Sequence, residues 1–96
     1  MTMNKQQRED AAKVLRALAH PIRIGIVQTL ETGPLCVSDL MTKLGCSQSM
    51  MSQQIRILEE KGIIAARKEG VCKLCELRNP DVLKMLDCVL RHVCSL

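Results

Sequence analysis

Residues 37–58 hold two short segments of opposite character separated by Gly45-Cys46-Ser47. On the first, Val37, Leu40, Met41 and Leu44 recur at i, i+3, i+4 and i+7, the apolar stripe of a helix lying on a core. Gly45 stops that helix, and Ser47 can cap the next by accepting an orphan backbone N–H. The second segment is divided sharply. Met51, Ile55 and Leu58 fall on one side, while Ser49, Ser52, Gln53 and Arg56 fall nearly opposite at about 100° per residue. A short helix with a Ser/Gln/Arg face behind a three-residue turn suits a DNA major groove. This predicts a helix-turn-helix.

The rest of the chain must support that unit with limited material. It has 96 residues, enough for one small domain (1–96) whose core alone is marginal. It contains no Phe, Tyr or Trp, so Leu, Ile, Val, Met and Cys must fill the interior. Dimerisation is the natural supplement for a helix-turn-helix protein. Missing aromatics also argue against single-strand nucleic-acid binding, which uses stacking platforms. A net charge of +4 suits a polyanionic partner. No stretch approaches a membrane span, and the N-terminus lacks a signal peptide's apolar core. A cytoplasmic setting is expected, in which the six cysteines stay thiols.

A first helix is expected over Gln6–Ala19, with Val14, Leu15 and Leu18 as its apolar positions. His20-Pro21 breaks it and opens a second, Pro21 to Glu31, with Ile22, Ile26, Val27 and Leu30 on one stripe and His20 as a structural cap. Arg23 on that helix is either a phosphate contact or the partner of an acid. The helix-turn-helix follows and ends at Lys61-Gly62. Ile63–Lys68 and Cys72–Leu77 read as two strands of a β-hairpin. Asn79 can cap a last helix, opened by Pro80 and running to about Cys94, with Val82, Met85, Val89, Val93 and Leu96 as its stripe. The expected fold is mostly α with a small hairpin: a winged helix-turn-helix in the order α-α-α-α-β-β-α, paired through its terminal helices.

Four stretches then become specific together. Leu18-Ala-His-Pro-Ile-Arg23, Leu35-Cys-Val-Ser-Asp-Leu40, Ser47-Gln-Ser-Met-Met-Ser52 and Arg67-Lys-Glu-Gly70 resemble, in order, stretches of the arsenic-repressor (ArsR/SmtB) family of winged-helix sensors. The resemblance implies a homodimeric repressor that leaves its operator when a metal, metalloid or thiol-reactive inducer arrives.

Ser49, Ser52 and Gln53 are the candidates for base edges, since hydroxyls serve donors or acceptors and Gln addresses adenine in two places. In the family these positions face the groove; Gln53 stands where some members have His. Gln48, at the helix N-terminus, can reach a phosphate or a base, and Arg56 suits phosphate. An ordinary solvated helix also has a polar face, but here turn, cap and face coincide. In the hairpin, Arg67 and Lys68 are placed to follow the backbone or enter a minor groove. Charge guarding an exposed edge strand is the competing explanation for both.

Clustered thiolates select soft ions such as As(III), Cu(I), Cd(II) or Zn(II). Cys88 and Cys94 lie six apart on the last helix, about 120° round its axis. Fraying after Cys88 would let both reach one trivalent arsenic, a use the resemblance also implies. Cys36 occupies the first thiol of the family's Leu-Cys-Val-Cys-Asp-Leu site, but Ser38 replaces the second. It is either one ligand beside others or a small residue near a helix start. Cys72 and Cys75, three apart on a strand, point to opposite faces, and Cys75 is expected to pack. Cys46, in the turn, stays open between the two roles. Against the zinc-sensing pattern Asp81 and His92 match two ligand positions while Asn79 and Ser95 replace the others. Asp81, Cys88 and His92 share a face and form an alternative site.

The reading is a homodimeric repressor of double-stranded operator DNA, released by a thiophilic inducer, As(III) or Sb(III) first, and Zn(II) or Cd(II) otherwise. It needs no obligatory cofactor and no membrane. A thiol-redox or persulfide sensor of the same fold is the alternative; related sensors pair a last-helix Cys with one in the second helix, where Gln28 stands. A thiol enzyme finds little support, because a Cys nucleophile needs a base beside it and only Cys88/His92 suggests one.

Overall fold

The computed structural model describes the backbone of residues 1–94 and the side chains of residues 1–93. Helix α1 runs Lys5–Leu18, α2 Pro21–Thr29, α3 Val37–Leu44, α4 Gln48–Glu60 and α5 Asp81–Cys94; strands are β1 Leu35–Cys36, β2 Ile64–Glu69 and β3 Cys72–Leu77. This is the expected winged helix-turn-helix with one addition. The two-residue β1 was not anticipated, and it makes the sheet three-stranded in the order β1-β3-β2, all antiparallel. A strand that short, preceded by Gly33-Pro34, has no periodicity to display.

Local chemistry explains the helix ends. Asn4 and Gln7 form a reciprocal capping box on α1. His20 Nδ1 accepts from the Ile22 N–H at 3.1 Å, the structural cap expected there. The Asp81 N–H donates to Asn79 Oδ1 at 3.1 Å, opening α5. Helix α2 ends at Thr29, two residues before the expected Glu31, and passes into a 3₁₀ turn over Leu30–Thr32.

The core collects Ile26, Val27 and Leu30 from the α2 region, Leu40 from α3, Met51, Ile55 and Leu58 from α4, Ile63 and Ile64 leading into β2, Cys75 from β3 and Val82 from α5. Burying each large aliphatic contributes about 1.5–3 kcal/mol. Of the apolar positions of α1, Leu18 is buried while Leu15 is 53% exposed. Helices α2 and α3 meet closely at Gly25, where an added Cβ would lie 2.9 Å from Leu44 Cδ2. A glycine inside α2, normally worth a loss of about 1 kcal/mol, lets α3 sit against it.

One polar side chain joins three helices through this apolar interior. Arg23 of α2 donates from Nε to the Ala17 carbonyl at 2.5 Å and from Nη2 to the Arg16 carbonyl at 3.4 Å. From Nη1 it donates to Gln54 Oε1 at 2.7 Å. It is therefore neither a phosphate contact nor the partner of an acid. The guanidinium meets the carbonyl-rich C-terminal end of α1, where a cation is favoured, and fixes the buried amide of α4. Gln54 Nε2 lies 3.2 Å from Met50 Sδ. Arg23→Met should lower stability to urea by about 2–3 kcal/mol because Gln54 is left buried without its donor. The double variant Arg23→Met/Gln54→Met should recover part of that loss; strictly additive losses would show that the two side chains act separately.

Candidate nucleic-acid interface and cysteine sites

The turn between α3 and α4 is set by Gly45, whose φ of 64° is left-handed and ends α3. Ser47 Oγ then accepts from the Met50 N–H at 3.2 Å and starts α4. Helix α4 presents Gln48, Ser49, Ser52, Gln53 and Arg56 outward, all exposed, while Met51, Gln54, Ile55 and Leu58 are buried. Ser52, Gln53 and Arg56 make no side-chain hydrogen bond or ion pair among the described residues. Their donors and acceptors stand free on one side of a helix clamped from the other.

In the wing, Arg67 is engaged within the hairpin. Its guanidinium donates to Glu69 at 3.2 Å and to Glu76 at 3.0 Å, and these partners raise its already high pKa, Glu69 first. The cause is strand geometry. Glu69 is two residues along the same face and Glu76 is a diagonal cross-strand neighbour, so the charge is balanced within the hairpin. Lys68, on the opposite face, is exposed and unpaired among the described residues. Its cross-strand neighbour Lys73 reaches Glu59 of α4 at 3.7 Å, tying the wing to the recognition helix.

The cysteines fall into different environments. Cys36 and Cys72 are joined by a disulfide with Cα atoms 5.7 Å apart, which corrects two expectations. Not all six cysteines are thiols, and Cys36, bonded to Cys72, offers no thiolate to a metal. Cys75 is fully buried on the opposite face of β3 and packs, as expected. Cys46 is half-buried with Sγ 3.6 Å from the Leu44 carbonyl. Cys88 is exposed and, with Val89, His92 and Val93, lines an apolar depression on α5. The side chain of Cys94, and Ser95 and Leu96, lie outside the described residues. Among the described residues no three of His, Cys, Asp and Glu gather around a point that one ion would occupy, so Asp81, Cys88 and His92 do not converge within a protomer. Asp81 instead lies 3.5 Å from Lys84.

A helix-turn-helix with a free polar face, backed by a three-stranded wing, defines a DNA-binding transcriptional regulator. Comparison with known proteins agrees. Residues 20–66 match the family model for bacterial regulatory proteins of the arsR family. The chain is 33% identical over 90 residues to the HTH-type transcriptional regulator NmtR of Mycobacterium tuberculosis, covering 94% of this chain and 75% of that protein. It is 30% identical over 86 residues to the biofilm growth-associated repressor of Agrobacterium fabrum, covering 90% and 74%. The structure of HlyU from Vibrio cholerae superposes with a TM-score of 0.81 at 30% identity, covering 96% and 99%. The chain belongs to the ArsR/SmtB family of winged helix-turn-helix transcriptional regulators. No described helix is long and apolar enough to cross a membrane.

Burial pushes the Cys75 thiol up, so the unfolded chain sheds this proton first. The stability that follows is complete below the ordinary thiol value, about 8.5, and is lost as pH rises through the higher native value. In native protein at pH 8, iodoacetamide should therefore label Cys88 well before Cys75. Cys75→Ala should flatten the alkaline fall in stability; an unchanged slope would assign that fall to other groups.

Proposed function

We propose that this protein is a homodimeric repressor that reads double-stranded operator DNA with α4 and lets go when a thiophilic inducer binds cysteine. The observation that carries the first half is the two-sided build of α4, with a locked Met51/Gln54/Ile55/Leu58 side and an exposed Ser49/Ser52/Gln53 side on which Ser52 and Gln53 have no side-chain partner among the described residues. Ser52 and Gln53 address base edges; Gln48 and Arg56 hold the flanking backbone. Lys68 supplies the wing's cation, and Arg67 contributes only if DNA phosphate displaces its carboxylates.

Dimerisation is supported by the terminal helices. Leu15 on α1 and Val89, Leu90 and Val93 on α5 are each more than half exposed, although an aliphatic core this small has few such residues to spare. Two copies pairing there bring two α4 helices to successive major grooves. Leu90→Glu should give a monomer by sedimentation and lose tight operator binding; a dimer that persists would place the interface elsewhere.

For the inducer, exposed Cys88 on α5 together with Cys94 is the proposed site for As(III) or Sb(III). Zn(II) or Cd(II) on Asp81, Cys88 and His92 is the alternative, with ligands drawn from both α5 helices of the dimer. A redox reading is favoured by one specific observation, the Cys36–Cys72 bridge. A duplex enriched from a randomised library serves as operator. Ser52→Ala and Gln53→Ala should each weaken binding by about 1–3 kcal/mol, and Arg56→Ala should lower the salt dependence by about one charge. Arsenite should release the wild type but not Cys88→Ser/Cys94→Ser; equal release from both would remove this metalloid site.

A further inference from the structure

Cys36 is the last residue of β1 and the N-cap of α3, and Cys72 is the first residue of β3. The pairing of β1 with β3 is Leu35 opposite Cys75 and Cys36 opposite Leu74. Cys72 stands two residues from Leu74 and therefore on the same sheet face as Cys36, as its diagonal neighbour. Cys75 points the other way. Two half-buried sulfurs thus meet at the junction of α3 and the wing.

They also line an open cleft of about 360 Å³, whose other wall carries Gln48 and Ser52 of α4, with Met41 and Lys73 beside them. Small solutes reach the sulfurs from the side that faces DNA. The bridge has a further topological property: it closes a ring, with a sequence separation of 36, that contains all of α3, the turn, α4 and β2. Besides the bridge, only two-residue β1 and the packing of β3 on α3 hold the wing to the start of α3.

We infer that Cys36 and Cys72 form a reversible dithiol–disulfide site, reacting with hydroperoxides and reduced by small dithiols, that sets operator affinity by fixing the wing against the helix-turn-helix. This rests on the DNA-binding reading above and is independent of the α5 metalloid site. In the oxidation, a Cys36 thiolate, at the N-terminus of α3 and sharing the cleft with Lys73, attacks the hydroperoxide oxygen. The O–O bond breaks, an alcohol leaves with the thiol proton, and Cys36 becomes a sulfenic acid. The Cys72 sulfur then attacks the Cys36 sulfur and expels water. Two thiols and one hydroperoxide yield one disulfide, one alcohol and one water; a dithiol reverses the bond by exchange. In the bridged form the wing is already placed. The reduced form must order the wing when it binds, and so binds more weakly.

The test uses full-length protein in a Cys88→Ser/Cys94→Ser background, and a duplex enriched from a randomised library by the oxidised form. Cumene hydroperoxide should consume two thiols, with peptide mapping giving a Cys36–Cys72 link that dithiothreitol removes. The oxidised form should bind the duplex about 3–10-fold more tightly than the reduced form, of order one ordered side chain or loop. Cys36→Ser and Cys72→Ser, each checked for native circular dichroism, should bind like the reduced form with or without hydroperoxide. A link between other cysteines, or affinities that agree within twofold or favour the reduced form, would overturn the switch. Enrichment of no duplex at all would overturn the DNA-binding reading and this inference with it.

Discussion

The geometry of the DNA-facing surface depends on a single guanidinium. Aliphatic packing is attractive but not directional, and a core of Leu, Ile, Val and Met without one aromatic ring has few features that fix how helices rotate against each other. Arg23 supplies the direction. By donating to two carbonyls at the end of α1 and to the buried Gln54 amide, it sets the angle about its axis at which α4 rests. Every outward residue of α4 inherits its aim from that arrangement. The interaction is strong because its acceptors are sheltered from water and because the cation faces the negative end of a helix.

Much of this was legible in the residues themselves. The apolar stripes of α3 and α4, the Gly45 stop and the Ser47 cap are local signals, and each appears where its chemistry demands. Gln54 was not singled out, because a buried glutamine looks like any other on a helical wheel until its partner is found. That partner lies 31 residues away on α2. The carboxylate partners of Arg67 at 69 and 76 follow from strand alternation and hairpin register, both readable from the sequence. The bridge between Cys36 and Cys72 was not readable, because it needs the register of a two-residue strand that carries no pattern of its own.

Sulfur is accordingly distributed by environment rather than by sequence spacing. Burial makes Cys75 a packing atom, and adjacency on one sheet face makes Cys36 and Cys72 a couple. Exposure on α5 leaves Cys88 open to reagents. The spacing of Cys72 and Cys75 and the family-motif position of Cys36 suggest one shared centre; the fold instead sets Cys36 and Cys72 on one face of the sheet and Cys75 on the other.

Gln53 and Gln54 are neighbours of identical chemistry with opposite obligations, one amide open to solvent and the other locked beneath the helix. On the proposed reading of α4, changes of target sequence fall at positions such as Gln53 whose substitution leaves folding almost untouched, so a descendant of this chain is free to acquire new operators by drift. A single residue gained or lost inside α4 would do the reverse. It would turn everything beyond it by about 100°, carrying part of the apolar side outward and ending recognition and foldability in one event.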